Sequence, residues 1–107
     1  MTGFDRIFEG QMIDESTWFE LGDFCTQLSV ERSWVVELVD AGVLEPRGPE
    51  PAAWSFPASA LTRARATVRL TQDLGVNLAG VAVILDLVEE RRRLVRRVEE
   101  LERLLGE

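Results

Sequence analysis

The sharpest pattern of apolar and polar positions lies in residues 68–88, VRLTQDLGVNLAGVAVILDLV, where two stripes of helical period meet at a break. The first stripe runs through Leu61, Ala64, Val68 and Thr71 and stops after Leu74. Gly75 is the stop, because glycine enters the left-handed conformation without a Cβ penalty. Asn77 follows with a side chain suited to accept the orphan amides of a new helix. Leu78, Val81, Ala82, Leu85 and Val88 then form one face of that second helix. Gly80 lies inside it at a cost of about 1 kcal/mol relative to alanine, and close packing against a neighbour is the expected compensation. Nothing in the stretch is reactive, so it reads as scaffold.

Upstream the pattern breaks into shorter pieces. Phe4, Ile7, Phe8 and Met12 share one helical face, interrupted by Gly10, and Asp14, Glu15 and Ser16 read as a loop. Trp18, Phe19 and Leu21 predict a short extended lead-in. Leu21, Phe24, Cys25 and Leu28 share the inner face of a helix that starts at about Gly22 or Asp23. Ser29 and Val30 turn the chain into a second helix over 31–40, with Val30, Trp34, Val35, Leu38 and Val39 buried and Ala41-Gly42 at its end. Residues 43–46 leave it extended, 47–53 form a Pro- and Gly-rich turn, and Trp54-Ser55-Phe56 returns with alternating aromatics. Pro57 suits the first turn of the helix that runs on to Leu74. Helix, tight turn, helix, then strand–turn–strand is the outline of a winged helix-turn-helix.

Beyond the corner, Ile84, Leu87, Leu94, Val98, Leu101 and Leu105 fit alternating a and d positions of a heptad, with Arg91 at the intervening a position. Val88, Val95 and Leu104 widen the stripe. Roughly three heptads on a solitary helix are not stable alone, so the seam implies a partner helix. The same helix of a second chain is the most economical partner, with Arg91 helping to set register; folding back on residues 1–16 is the single-chain alternative. The predicted organisation is therefore a leader over 1–17, a winged helix-turn-helix over 18–76, and a C-terminal coiled-coil helix over 77–107, in a mostly α fold.

Composition narrows the chemistry. With 107 residues, 46% hydrophobic and 29% charged, the chain suffices for one core and an appended element. No apolar run approaches the ~20 residues of a membrane span, and MTGFDRIFEG lacks the blocks of a signal peptide, so no membrane partner and a cytoplasmic location are expected. Cys25 is the only cysteine and there is no histidine or tyrosine. That removes an internal disulfide, a zinc cluster and an imidazole base. No nucleophile–base pair or phosphate loop is present, so neither catalytic residues nor a cofactor or metal are expected. Cys25 reads as a small buried hydrophobe, its neighbours being Asp23 and apolar groups rather than a cation.

Charge divides the chain. Residues 1–57 carry eleven acids against Arg6, Arg32 and Arg47, a net of −8, whereas 58–107 carry nine arginines against eight acids, a net of +1; together they recover the −7 of the whole. The acidic half should repel nucleic acid and attract a basic partner. A groove-reading second helix needs Arg, Lys, Asn or Gln and flanking phosphate anchors. The exposed positions here are Glu31, Arg32, Ser33, Glu37 and Asp40. Arg63, Arg65 and Arg69 are the basic group nearest the wing, and pairing with acids of the N-terminal half is their expected role. Trp54 and Phe56 read as core anchors, since no basic cluster surrounds them as single-strand binding requires.

The run FC…LSVERSWVVELVDAGVLEP, then WSF, then RLTQDLGVNLAGVAVILDLVEE, resembles the bacterial CbpM-type chaperone modulators, small MerR-like proteins encoded beside a DnaJ-type co-chaperone. The resemblance covers about residues 18–105. It implies a protein that binds the J-domain of a DnaJ- or CbpA-like co-chaperone and blocks its work with the Hsp70. A J-domain presents a basic helix to Hsp70, and an acidic helix-turn-helix is physically suited to compete for it. Charge and exposure select Glu31, Glu37, Asp40 and Glu45 as contact residues. The competing reading is a dimeric MerR-like transcription regulator holding DNA through Arg32, Arg47, Arg63 and Arg65; the acids on the second helix and wing speak against it.

Overall fold

The computed structural model describes residues 17–106; the apolar repeat at Phe4, Ile7, Phe8 and Met12 lies outside the described residues. The chain begins with strand β1 (Trp18–Glu20) and passes directly into helix α1 (Leu21–Leu28). Helix α2 (Arg32–Asp40) follows a three-residue turn, then a 3-10 turn (Pro51–Ala53), strand β2 (Ser55–Pro57), helix α3 (Ala58–Leu74) and helix α4 (Leu78–Leu105). The helices fall where the apolar spacing predicts them.

The strands pair differently from a simple wing. β2 is antiparallel to β1, in register Trp18 with Pro57, Phe19 with Phe56 and Glu20 with Ser55. The N–H of Ala58 extends the ladder by donating to the Thr17 carbonyl at 3.1 Å. The outgoing limb of the wing meets β2 at one bridge, Arg47 with Ser55, through bonds of 3.0 and 2.9 Å. The reason is local: Pro46 and Pro49 have no N–H to give a ladder, and Gly48 turns at φ 115°. A Cβ at Gly48 would lie 2.3 Å from the Ala53 carbonyl oxygen, so the loop tip closes on glycine alone.

The core forms where α1, α2 and β2 meet α3. Phe24 and Phe56 stack at 4.3 Å, and Trp54 meets Phe56 edge-on at 6.1 Å, which accounts for the alternating aromatics as anchors. Val35, Leu38, Val43 and Leu44 are buried beside them. α3 buries more than one stripe: Ala58, Ala60, Leu61, Ala64, Ala66, Thr67 and Leu70 are all enclosed, whereas Val68 and Thr71, both expected inward, are half-buried. Four of the enclosed residues are alanines, which let neighbouring elements approach from several sides. Thr67 satisfies its hydroxyl by donating to the Arg63 carbonyl at 2.8 Å.

The corner is built as the sequence indicates. Gly75 is left-handed at φ 64°; its N–H donates to Thr71 and that of Val76 to Leu70, at 3.1 and 3.2 Å, closing the end of α3. The Asn77 side chain accepts from the Gly80 N–H at 2.8 Å and caps α4. A Cβ at Gly80 would lie 2.9 Å from Val76 Cγ1 and 3.3 Å from Asn77 Oδ1. The expectation that Gly80 serves packing against a neighbour is thus corrected: it makes room for the capping turn itself.

α4 folds back along α3 and buries Val81, Leu85 and Val88, with Leu78, Ala82 and Ile84 half-buried against the same core. After Val88 no residue of the helix is buried. Its 28 residues span ~42 Å at the α-helical rise, most of the longest dimension, 51 Å, of the described molecule. The second half of α4 projects from the body.

Candidate protein-docking face

α2 is held so that its polar side must face outward. Ser29, at φ 56°, ends α1 in the left-handed conformation, and its N–H and that of Val30 return to Thr26 and Cys25 at 3.2 and 3.1 Å. Glu31 is extended and occupies the position before the first turn of α2, without a side-chain cap. Val35 and Leu38 then point into the core, with Trp34 and Val39 half-buried against it. Glu31, Arg32, Ser33, Glu37 and Asp40 are all exposed, as the spacing predicts. Glu37 and Asp40, three residues apart, are neighbours on one face.

Gly42, at φ 80°, reverses the chain, and the N–H groups of Val43 and Leu44 both return to the Leu38 carbonyl, at 2.8 and 3.3 Å. This buries Val43 and Leu44 and leaves Glu45 exposed. Glu45 does not stand beside Glu37 and Asp40 on α2. It lines an open cleft of about 440 Å³ together with Arg63, Asp86 and Glu89.

Arg63 organises that cleft. Its Nε donates to the Val43 carbonyl at 2.8 Å, and its terminal nitrogens reach Glu89 at 2.5 Å and Asp86 at 3.3 Å. One guanidinium therefore ties the exit of α2 to α3 and α4. The acids that hold Arg63 come from the C-terminal helix, which corrects the expectation of partners in the N-terminal half. The reason is register: the corner at Gly75–Asn77 lays Asp86 and Glu89 antiparallel to Arg63. Asp86 and Glu89 escaped the sequence reading because they look like ordinary solvated positions of α4, and only the hairpin register places them beside Glu45.

The arginines suggested for DNA are partly committed elsewhere. Arg63 has its donors in the clamp, and Arg47 lies over the Trp18 ring at 4.2 Å. Arg65 and Arg69 are half-buried on α3, and each takes part in an interaction. Arg32 is exposed on α2. Cys25 is buried as expected and burial pushes its thiol up, but the charge of Arg32 opposes that in part, which corrects the expectation that no cation lies near it. A raised thiol is a poor nucleophile, which fits the reading of Cys25 as a core residue.

The predicted seam residues divide. Ile84 is half-buried against the protein's own core, whereas Leu87, Leu94, Val98, Leu101 and Leu105 are exposed, Leu94 at 50% and Val98 at 52%. Arg91 is exposed between them. Leu87, Leu94, Val95 and Val98 line a continuous shallow groove with Glu90, Arg91, Glu99 and Glu102 at its margins. Among the described residues there is no group of His, Cys, Asp and Glu able to hold a metal ion, and no helix long and apolar enough to cross a membrane.

A sequence model described as MerR HTH family regulatory protein matches residues 19–103. A chaperone modulatory protein CbpM from Coxiella burnetii is 30% identical over 98 residues, covering 92% of this chain and 92% of that protein. Proteins of the same name from Pseudomonas entomophila and Citrobacter koseri are 33% and 34% identical, over 81% and 78% of this chain and 86% and 82% of their own lengths.

Proposed function

This chain belongs to the MerR HTH regulatory family and, within it, to the CbpM-type proteins, and from that premise we propose that it is a cytoplasmic chaperone modulator that binds the J-domain of a DnaJ- or CbpA-like co-chaperone and inhibits it. Its role is regulatory rather than enzymatic. One observation carries the docking part: where a groove-reading helix would present basic side chains, α2 presents Glu37 and Asp40, with Glu31 ahead of it and Glu45 beyond it, all exposed. Asp86 and Glu89 form a separate acidic group with Glu45 at the cleft, where Arg63 partly neutralises them. Attraction to the basic helix of a J-domain raises the association rate and weakens with salt.

The exposed stripe of α4, with Leu87, Arg91, Leu94, Val98, Leu101 and Leu105, is on this reading the seam of a homodimer. Ile84 lies at its root.

The test is the double reversal Glu37→Arg with Asp40→Arg. Neither residue is in the buried stripe of α2, so the fold should survive and circular dichroism should be unchanged. Titration calorimetry against the J-domain of the co-chaperone encoded beside this gene, at two salt concentrations, should show a loss of ~2–5 kcal/mol if the charges are desolvated against partner cations. Unchanged affinity in a folded variant would remove α2 as the docking site. The helix-turn-helix and the exposed Arg32 favour a second reading, a DNA-binding regulator. Non-specific DNA affinity comes mainly from neutralised phosphates; a clear gel shift at physiological salt with the DNA upstream of its own gene would reverse the choice.

A further inference from the structure

A second surface adjoins the α2 acids on the side that faces α1 and α3. Leu28 at the end of α1, Val30 in the turn, Trp34 on α2 and Val68 on α3 form an apolar groove of about 320 Å³, flanked by Arg65 and Arg69. All four apolar residues are half-buried, so the groove exposes hydrophobic area at the junction of three helices. Every charged residue that lines it is basic. The surface along α4, by contrast, mixes signs: Glu90, Glu99 and Glu102 with Arg91 in one groove, and Arg91, Arg92 and Arg96 with Glu99 in the adjoining one.

We propose that the groove is a docking site for the protein's own residues 1–16. Three features of the chain converge on that occupant. Its apolar residues Phe4, Ile7, Phe8 and Met12 recur at three- and four-residue intervals, the spacing that puts side chains on one helical face. Its charges are Asp5, Glu9, Asp14 and Glu15 against Arg6, so it is acidic and suits the Arg65–Arg69 rim. Its point of attachment is also right. Thr17 is pinned to Ala58 at the first residue of α3, and Arg65 to Arg69 lie ~10–17 Å further along that helix at its rise per residue. Sixteen residues span that distance even when helical. Neither guanidinium is without a partner, but each carries five donors and can take a carboxylate on one edge while another is engaged. Docking there would tie α1, α2 and α3 together and cover the half-buried Trp34. The inference stands whether or not α2 binds a J-domain.

The test uses the full chain with Phe4→Ser and Phe8→Ser together, neither of which belongs to the described core. Nuclear magnetic resonance reads three things: hydrogen exchange of amides in residues 1–16, the Trp34 indole N–H signal, assigned with Trp34→Phe, and the methyl signals of Leu94 and Val98. The wild type should protect amides around 4–12. The double variant should lose that protection and shift the Trp34 signal, leave Leu94 and Val98 unmoved, and do so independently of protein concentration. Arg65→Glu with Arg69→Glu should also abolish the protection, and adding Asp5→Arg with Glu9→Arg should restore it. Unprotected wild-type amides would overturn the proposal. A response at Leu94 and Val98 in place of Trp34 would assign the segment to α4 instead. A Trp34 effect that fades on dilution would assign the groove to a second copy's segment.

Discussion

The two halves of α4 have the same apolar rhythm and opposite fates. In the inner half, Val81, Leu85 and Val88 are sealed against α3; in the outer half, Leu94, Val98 and Leu101 repeat the spacing with 50%, 52% and 44% of their surface open. Periodicity states that a helix has a face to bury and does not say against what. The inner half finds its cover because the Gly75–Asn77 corner folds it onto α3 within the same chain. The outer half extends past the start of α3, where the chain supplies no further described element to meet it. A helix end with several exposed leucines and valines is a surface that calls for a partner, and charge at its margins constrains which one.

The largest effect should separate the halves directly. Leu85→Ala removes a fully buried side chain from the common core and should cost ~2–5 kcal/mol. Leu94→Ala changes the same residue type on the same helix and should stay within about 0.5 kcal/mol in dilute, monomeric protein. Urea denaturation of both variants, at concentrations where the wild type sediments as a monomer, measures the contrast. Equal losses would mean that the outer half is covered within one chain.

The next effect concerns assembly rather than folding. Leu94→Asp places a charge in the centre of the proposed seam and should dissociate the dimer while leaving the core intact. Sedimentation should show a dimer for the wild type and a monomer for the variant, with helical signal lost only from the outer turns. A wild type that is monomeric at high micromolar concentration rules the seam out.

Arg63 joins the inner half to the rest of the fold and should have the next largest influence. Arg63→Met keeps much of the stem but leaves the Val43 carbonyl without its 2.8 Å donor and separates Asp86 and Glu89 from their cation. A fully buried acceptor left unsatisfied costs roughly 1–3 kcal/mol, and this part-buried one at an open cleft should cost toward the lower end. Because Asp86 and Glu89 are themselves well exposed, the ion pairs should contribute less than the carbonyl bond. A cycle with Glu89→Gln, read by denaturation, apportions the two; a coupling that accounts for the whole loss would reverse that ranking.

The same comparison shows what could be read from the chain and what could not. The buried stripe of α2, the stop at Gly75 and the cap at Asn77 were legible because each is a local rule, satisfied within a few residues. The partner of β2 was not: Trp54-Ser55-Phe56 announces a strand, but whether it pairs with 43–46 or with Trp18–Glu20 depends on which backbone has donors free. The prolines at 46 and 49 settle that only in hindsight. Arg63 illustrates the limit for the site, since its basic side chain was evident while its clamp to Asp86 and Glu89 exists only in the antiparallel register of α3 and α4. The acids of α2 were legible as exposed, but their division from Glu45, which faces the cleft instead, follows from the reversal at Gly42.

The smallest effect should come from the corner that sets the inner half in place. Asn77 accepts one amide, that of Gly80, at the first turn of α4. Asn77→Ala removes that acceptor, and a lost cap of this kind costs about 1 kcal/mol. The loss should be confined to the inner end, because capping acts on the first turn and the long outer half propagates its own bonds. Hydrogen exchange should therefore quicken at residues 78–81 and remain unchanged at 94–101, which the lost cap does not reach. Asn77→Ser, which restores a capping oxygen, should recover most of the difference, since serine caps nearly as well as asparagine. If exchange quickens equally along all of α4, the helix opens as one cooperative unit, and the two halves differ in what covers them but not in how they are held.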